Sequence, residues 1–358
     1  MPPTRAKETA AEEALRALRR NEYVDPERIT FSTFAADWLA AYEQVAKVSS
    51  VRIRRHQVGI LNRYFGKLPL QSIKKKAYQD ALLAMAATYK PSTISGVHAA
   101  ARMIFKKARE YELIYTDPTE FAMVPRPKRT IVDPDKNVPP HLEKPQLKEF
   151  LQAAREQGLY PDYPLFVLLS YTGLRIGEVL ALTWEDVDFA GNVIKISKTL
   201  YNPTNNASSY ELLPPKTVTS VRVVSMPPHL KQVLAGYKLE ASKYRLDYGN
   251  EWHYPKGSRQ GFVFTAPAHP GYPLTQRLVQ IRIDRLQKLV NPPIPIRIHP
   301  HLFRHTHASL LAEAGVDLVN IMKRLGHSDD ATTRQIYLHI TKSLAQETAQ
   351  RFDDLLAK

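Results

Sequence analysis

Beyond residue 140, four polar groups interrupt an otherwise apolar pattern. They are Arg175 with Glu178 in TGLRIGEVLALTW, Lys216 in LPPKTVTSVRVVSMP, His301 with Arg304 in HPHLFRHTHASLLAEAG, and His327 followed by Tyr337 in LGHSDDATTRQIYLH. Two arginines, a lysine and two histidines supply donors, with Glu178 the only acid among them. That inventory suits a phosphodiester passing through a pentavalent transition state. Forked guanidinium groups can hold non-bridging oxygens. Histidines can add hydrogen bonds or move protons. A lysine whose pKa falls beside other cations can protonate a leaving alkoxide. A tyrosine among cations, with its phenolate favoured, is a nucleophile.

Each group taken alone has an ordinary structural explanation. Arg175 and Glu178 could pair on one helical face. Lys216 lies between prolines and a strand, where a lysine commonly faces water. His301 and Arg304 lie three apart and share a helix face, where a histidine usually caps or packs. His305 and His307 add imidazoles and raise the question of a metal, but HPHLFRHTH contains no acid to complete a zinc site. Most of the eighteen tyrosines must simply pack, and Tyr337 could be one of them.

The elements around these residues follow from periodicity. TFSTFAADWLAAYEQV spaces Phe31, Phe34, Trp38, Leu39 and Tyr42 along one helical face, with Thr30 or Ser32 as its cap. A second helix is expected over SSVRIRRHQVGILNRYF, capped near Ser49 or Ser50. A third is expected over AYQDALLAMAATY, and a fourth after the breaker Lys90-Pro91-Ser92. Together these make a small helical bundle. VPRPKRTIVDPDKNVPP holds five prolines and reads as an extended linker. Beyond it, EKPQLKEFLQAAREQ is helical, and LFVLLSYTGLRIGEVLALTW reads as one or two buried helices with a turn near Gly173. Arg175 would then sit inside apolar surroundings, where its charge needs partners. DVDFAGNVIKISKTL reads as a hairpin tipped by Gly191-Asn192, TSVRVVSMP as a strand, and HLKQVLAGYKLEASKYRL as a helix. Helices are expected again after His301, Asp317, Thr332 and Lys342. The expected fold is mainly α with a small β-sheet. Its parts are an N-terminal helical segment (1–28), a helical domain (29–124), a linker (125–140) and a domain carrying the chemistry (141–358).

Composition narrows the partners. The net charge is +15 and cysteine is absent, so disulfides, thiolate catalysis and cysteine-ligated zinc are excluded. The apolar run around Arg175 is too interrupted to span a bilayer, and the N-terminus lacks the apolar core of a signal peptide. Between Val51 and Arg109 thirteen Lys or Arg stand against one acid, Asp80. A solvated face would mix its signs, so this segment is expected to face phosphates. Arg52, Arg54, Arg55, Lys74, Lys75, Lys76, Arg102, Lys106 and Lys107 are the candidate contacts.

The order of the four groups and the residues around them resemble the tyrosine recombinase family, particularly integrases of phages and conjugative transposons. TGLRIGEVLALTWEDVDF resembles the family's first arginine box, and HPHLFRHTHASLLAEAG its His-x-x-Arg box. IMKRLGHSDDATTRQIYLHIT resembles the box of the last histidine and the nucleophile. The resemblance covers residues 30–358, with a looser likeness of the first helices to the family's core-binding bundle. It implies that Arg175 and Arg304 clamp a scissile DNA phosphate and that Lys216 protonates the departing 5′ oxygen. His301 would assist proton transfer, His327 would bond a phosphate oxygen, and Tyr337 would form a 3′-phosphotyrosine. Glu178 would orient a neighbouring cation.

The resemblance further implies no cofactor or metal, a partner in double-stranded DNA at specific sites, and four protomers in a synapse. Accessory bending or directionality factors and a bacterial cytoplasm go with it. A dimer-resolving relative, or a DNA-binding protein without chemistry, would share much of this pattern. The tail TKSLAQETAQRFDDLLAK reads as a docking helix with Leu344, Phe352, Leu355 and Leu356 as its apolar face, expected to pack on its own domain or on a neighbour. TRAKETAAEEALRALRRNEY resembles the last helix of an arm-binding domain without the strands expected before it, which leaves a naturally short form or a trimmed one.

Overall fold

The computed structural model describes residues 29–126, 139–215, 220–326 and 331–341. The N-terminal segment, most of the proline-rich linker, and the C-terminal tail lie outside the described residues, as do Lys216 and His327. The chain divides into two compact units, Met1–Ile131 and Val132–Lys358.

The first unit holds α1 (Phe31–Val45), α2 (Val48–Phe65), α3 (Lys75–Met85) and α4 (Pro91–Glu110). The helices form because their apolar residues recur at helical spacing. On α4, Ile94, Val97, Ala101, Ile104, Phe105 and Ala108 are all buried. An aromatic cluster joins the elements, with Phe31 5.5 Å from Phe105 and Phe65 5.7 Å from Tyr78. Tyr78 is fully buried, and its hydroxyl is bonded to His98 Nδ1 at 2.9 Å. Thr30 caps α1 by accepting from Thr33 N. Two expectations change. α1 buries Phe31 and Phe34 but leaves Trp38, Leu39 and Tyr42 half-buried, with Trp38 at the edge of the core and stacked on Tyr42. α2 starts at Val48, after Lys47, so neither Ser49 nor Ser50 is its cap.

The second unit is built around α6 (Asp162–Thr172), whose residues Leu165 to Leu169 are all fully buried. It packs against α5 (Lys144–Gln157), α8 (Pro228–Tyr248) and α10 (Pro300–Glu313). Phe150, Phe166 and Phe303 meet at ring distances of 5.2 to 5.7 Å and join α5, α6 and α10. The buried ion pair Asp162–Arg282, 2.7 Å, ties the start of α6 to α9 (Gln276–Gln287).

Strands β1 (Val187–Asp188), β2 (Val193–Ile196) and β5 (Arg222–Ser225) form an antiparallel sheet in the order β1-β2-β5. The β1–β2 turn contains Gly191 and Asn192, with Asn192 at φ 55° and the Asp188 carboxylate accepting from two turn amides. β3 (Thr199–Tyr201) pairs with β4 (Glu211–Leu213), and β6 (Thr265–Ala266) with β7 (His269–Pro273). α11 (Leu318–Leu325) and a helix over residues 331–341, here α12, complete the described part. The fold is mainly α with small antiparallel sheets, as the sequence pattern predicts.

Candidate active site

The apolar run breaks where it carries Arg175. α6 ends at Thr172, and Gly173 adopts the left-handed conformation, φ 62°, that terminates helices. Arg175 is extended and caps the short α7 (Ile176–Ala181). Its side chain is 37% exposed, so the guanidinium stands at the rim of the core. The turn expected near Gly173 is present, and the expectation that Arg175 sits inside apolar surroundings is corrected, because Arg175 follows that turn at the start of α7. Glu178 is buried beneath it. The carboxylate accepts from Arg175 Nη1 at 2.9 Å and from the Arg175 backbone N–H at 3.0 Å. Burial alone would raise the Glu178 pKa. The hydrogen bonds and charge of Arg222, with those of Arg175, outweigh it and hold the carboxyl below its ordinary range.

Arg304 is 2% exposed and donates to Gly173 O at 2.8 Å and to Leu325 O at 2.6 Å. Both carbonyls lie at helix C-termini, where unpaired acceptors and the helix dipole favour a cation. One turn before it, His301 is exposed, with the His305 ring edge-on at 4.8 Å. His301, Arg304 and His305 line a small cleft together with Thr332, Thr333 and Ile336. Those last three lie on α12, in the turn preceding Tyr337. Tyr337 is half-buried against a cluster that includes Ala308, Ile321, Leu325 and Ile336. The structure thus brings His301 and Arg304 to the helix that carries Tyr337. It also joins Arg304 to the carbonyl two residues before Arg175. Lys216 and His327 are not among the described residues.

Three residues that were not singled out for the site complete its frame. Arg222 bonds both oxygens of Glu178, at 3.2 and 2.9 Å, and its Nε donates to Arg324 O at 2.8 Å. TSVRVVSMP carries only part of the signal: Arg222 shares strand parity with Val224 and Met226, and the fold shows that this face is the buried one while Val221 and Val223 face out. Arg324 donates to Ser225 Oγ, Tyr171 O and His307 Nε2, each at 3.0 Å. His307 is committed at both nitrogens, since Nδ1–H donates to Ser170 O at 2.9 Å. Burial, then the charges of Arg324 and Arg304, push its pKa down to about 3. It is a neutral structural acceptor with no nitrogen left for a metal.

In the first unit, Arg52, Arg102 and Lys106 are exposed and have no acidic partner among the described residues. The other candidates are engaged. Arg54 donates to Gln57 and Lys74 to Gln71 O. Arg55 pairs with Glu43, Lys75 with Glu120, Lys76 with Asp80, and Lys107 with Glu110. Glu43, Glu110 and Glu120 fall outside the basic sequence window, and folding returns them to it.

A family model described as "Phage integrase family" matches residues 140–343. The chain belongs to that family. Among its relatives, the integrase of Staphylococcus phage L54a is 29% identical over 321 residues, covering 81% of this chain and 86% of that one. The ICEBs1 integrase of Bacillus subtilis is 25% identical, covering 92% and 84%. The Tn1549 transposon integrase, solved in complex with a circular intermediate DNA, superposes with TM-score 0.71 at 25% identity, covering 90% of this chain and 99% of that one. This integrase is accordingly a tyrosine recombinase, a site-specific DNA recombinase of the kind carried by mobile elements, and DNA is its partner. Among the described residues, no helix is long and apolar enough to cross a membrane.

Proposed function

We propose that the integrase cleaves and rejoins DNA through Tyr337. The observation that supports this most is the cleft in which His301 and Arg304 line up beside the turn of α12 that leads to Tyr337. In the proposed step the Tyr337 Oη–phosphorus bond forms and the phosphorus–O5′ bond breaks. The product is a 3′-phosphotyrosine and a free 5′ hydroxyl. Lys216 gives its proton to the departing O5′, and His301 assists removal of the phenol proton. Arg175, Arg304 and His327 hold the non-bridging oxygens, with Glu178 fixing Arg175 from below. The linkage conserves the energy of the phosphodiester, so a 5′ hydroxyl from a second duplex reverses the step without a cofactor.

Exchange between two duplexes takes four cleavages, hence a tetramer on DNA. We assign residues 29–124 to DNA binding, 125–140 to a linker and 141–358 to catalysis, with Arg52, Arg102 and Lys106 as the leading phosphate contacts. Accessory bending or directionality proteins and a cytoplasmic location in a bacterium belong to the same reading. A dimer-resolving role is the second reading, favoured by the tyrosine recombinase XerC of B. subtilis, 25% identical over 285 residues.

The test is covalent trapping. The chain is incubated with nicked duplexes drawn from the DNA around its own coding sequence, denatured, and the attached fragments are sequenced. Adducts that vanish with Tyr337→Phe support the proposal. Recovered ends of a mobile element favour integration, and a chromosomal dimer-resolution site favours the second reading. Tight binding with no adduct across broad DNA pools overturns both.

A further inference from the structure

Arg222 lies outside the set assigned to chemistry, yet its side chain is 7% exposed and its contacts lead back to that set. Nη1 and Nη2 face the two oxygens of Glu178, and Glu178 in turn holds Arg175. On the other side, Nε donates to Arg324 O at the end of α11. The next carbonyl, Leu325 O, accepts from Arg304, which returns to Gly173 O, two residues before Arg175. The hydrogen bonds close a circuit through both candidate phosphate-gripping arginines. Gly326 leaves room for it. A Cβ there would stand 2.9 Å from Arg222 Nη1 and 3.1 Å from its Cδ.

We propose that Arg222 is a positioning residue for strand cleavage, holding Glu178, and through it Arg175, in register with Arg304. This rests on the reading in which Arg175 and Arg304 grip the scissile phosphate. Charge alone is not enough for the task. A guanidinium spans both carboxylate oxygens with one edge while Nε reaches a carbonyl on the other, and an ammonium cannot do both. An arginine that merely neutralised a buried carboxylate would stabilise the domain without acting through Arg175.

Those two roles separate in a double-mutant cycle. Arg222→Gln and Arg222→Lys are made in the natural chain and in an Arg175→Lys background. Single-turnover adduct formation is measured on the nicked duplexes recovered by trapping, beside DNA affinity and melting temperature. Arg222→Gln is expected to slow adduct formation about 30-fold in the natural chain and less than about threefold where Arg175 is already lysine. DNA affinity stays within about twofold in each case. If Arg222→Gln does not fold, Arg222→Lys keeps a cation beside Glu178 and carries the same comparison. Equal losses in the two backgrounds, or no loss in the natural chain, overturn the proposal. If Arg175→Lys itself leaves cleavage unchanged, the clamp reading fails, and that result is distinct.

Discussion

In the first unit, Arg52, Arg102 and Lys106 stand exposed on helix faces whose opposite sides carry the aromatic core. In the second, Arg222, Arg282 and Arg304 are buried, and carbonyls or carboxylates meet their guanidinium groups at 2.6 to 3.2 Å. One residue type serves two physical purposes. An exposed cation acts through its field, tolerates a change of side chain, and is screened by salt. A buried guanidinium acts through direction, because its bonded N–H groups aim at particular acceptors and a displaced fork leaves a charge unsatisfied. Substitutions in the first unit should therefore change binding in small, additive steps. Substitutions in the second should change reaction rate or stability in large ones.

The largest effect is expected at Tyr337, the proposed nucleophile. Tyr337→Phe removes one oxygen from a half-buried ring and leaves its packing against Ile336 and Leu325 in place. Adduct formation should disappear while DNA affinity stays within about twofold, measured by gel trapping and anisotropy. Residual adduct with this variant would move the nucleophile elsewhere. Arg304→Lys comes next. A lysine keeps the charge but cannot hold Gly173 O and Leu325 O together, so cleavage should fall about 100-fold or more with little change in binding. Equal losses of binding and cleavage would mean that Arg304 holds the domain together and nothing more.

Glu178 gives the third prediction, on stability. Its folded pKa lies below the ordinary 4.5. The stability it contributes is therefore fully present above that value and is lost as pH falls through the lower, folded one. Glu178→Gln should destabilise the second unit by about 3 kcal/mol at neutral pH, because Arg222 is left buried beside a neutral group. The deficit should shrink in acid, below about pH 4. Urea unfolding of both proteins across that range checks it, and a deficit that does not change with pH would remove the ion pair as its cause.

The site was more legible than its frame. Arg175, Glu178, His301, Arg304 and Tyr337 interrupt apolar pattern, but each alone has an ordinary structural explanation, and the resemblance to the tyrosine recombinase boxes is what makes them candidates. Arg222 escaped because TSVRVVSMP offers two apolar faces, Val221 with Val223 and Val224 with Met226, and only folding shows that the second is buried. α9 escaped for a related reason. Its stripe of Val279, Ile283 and Leu286 is broken at the core-facing Arg282, whose partner Asp162 lies 120 residues away. The hairpins β3–β4 and β6–β7 have strands of two to five residues, too short for alternation to stand out. In the bundle, sequence counting overstated the free charge, since it could not see Glu43 and Glu120 fold back toward Arg55, Lys75 and Arg109.

That last point yields the smallest and most discriminating prediction. Each cation that meets a phosphate releases counterions and adds about 0.9 to the slope of log affinity against log salt. Arg52→Gln, Arg102→Gln and Lys106→Gln should each lower that slope by about this amount if those side chains meet DNA. Lys76→Gln should lower it by about half as much or less, because Lys76 already faces Asp80 at 2.7 Å and would have to leave that partner to bind a phosphate. None of the four should change the cleavage rate once DNA is saturating, because none belongs to the frame around Arg175 and Arg304. Anisotropy titrations at several salt concentrations measure the slopes, and trapping at saturating DNA measures the rate. Equal slopes for Lys76→Gln and Arg52→Gln would mean that the intramolecular pairs open on binding and that the whole basic face acts as one field. A cleavage defect in any of the four at saturation would break the division of labour between exposed and buried cations, and would place part of the bundle's charge in the chemistry itself.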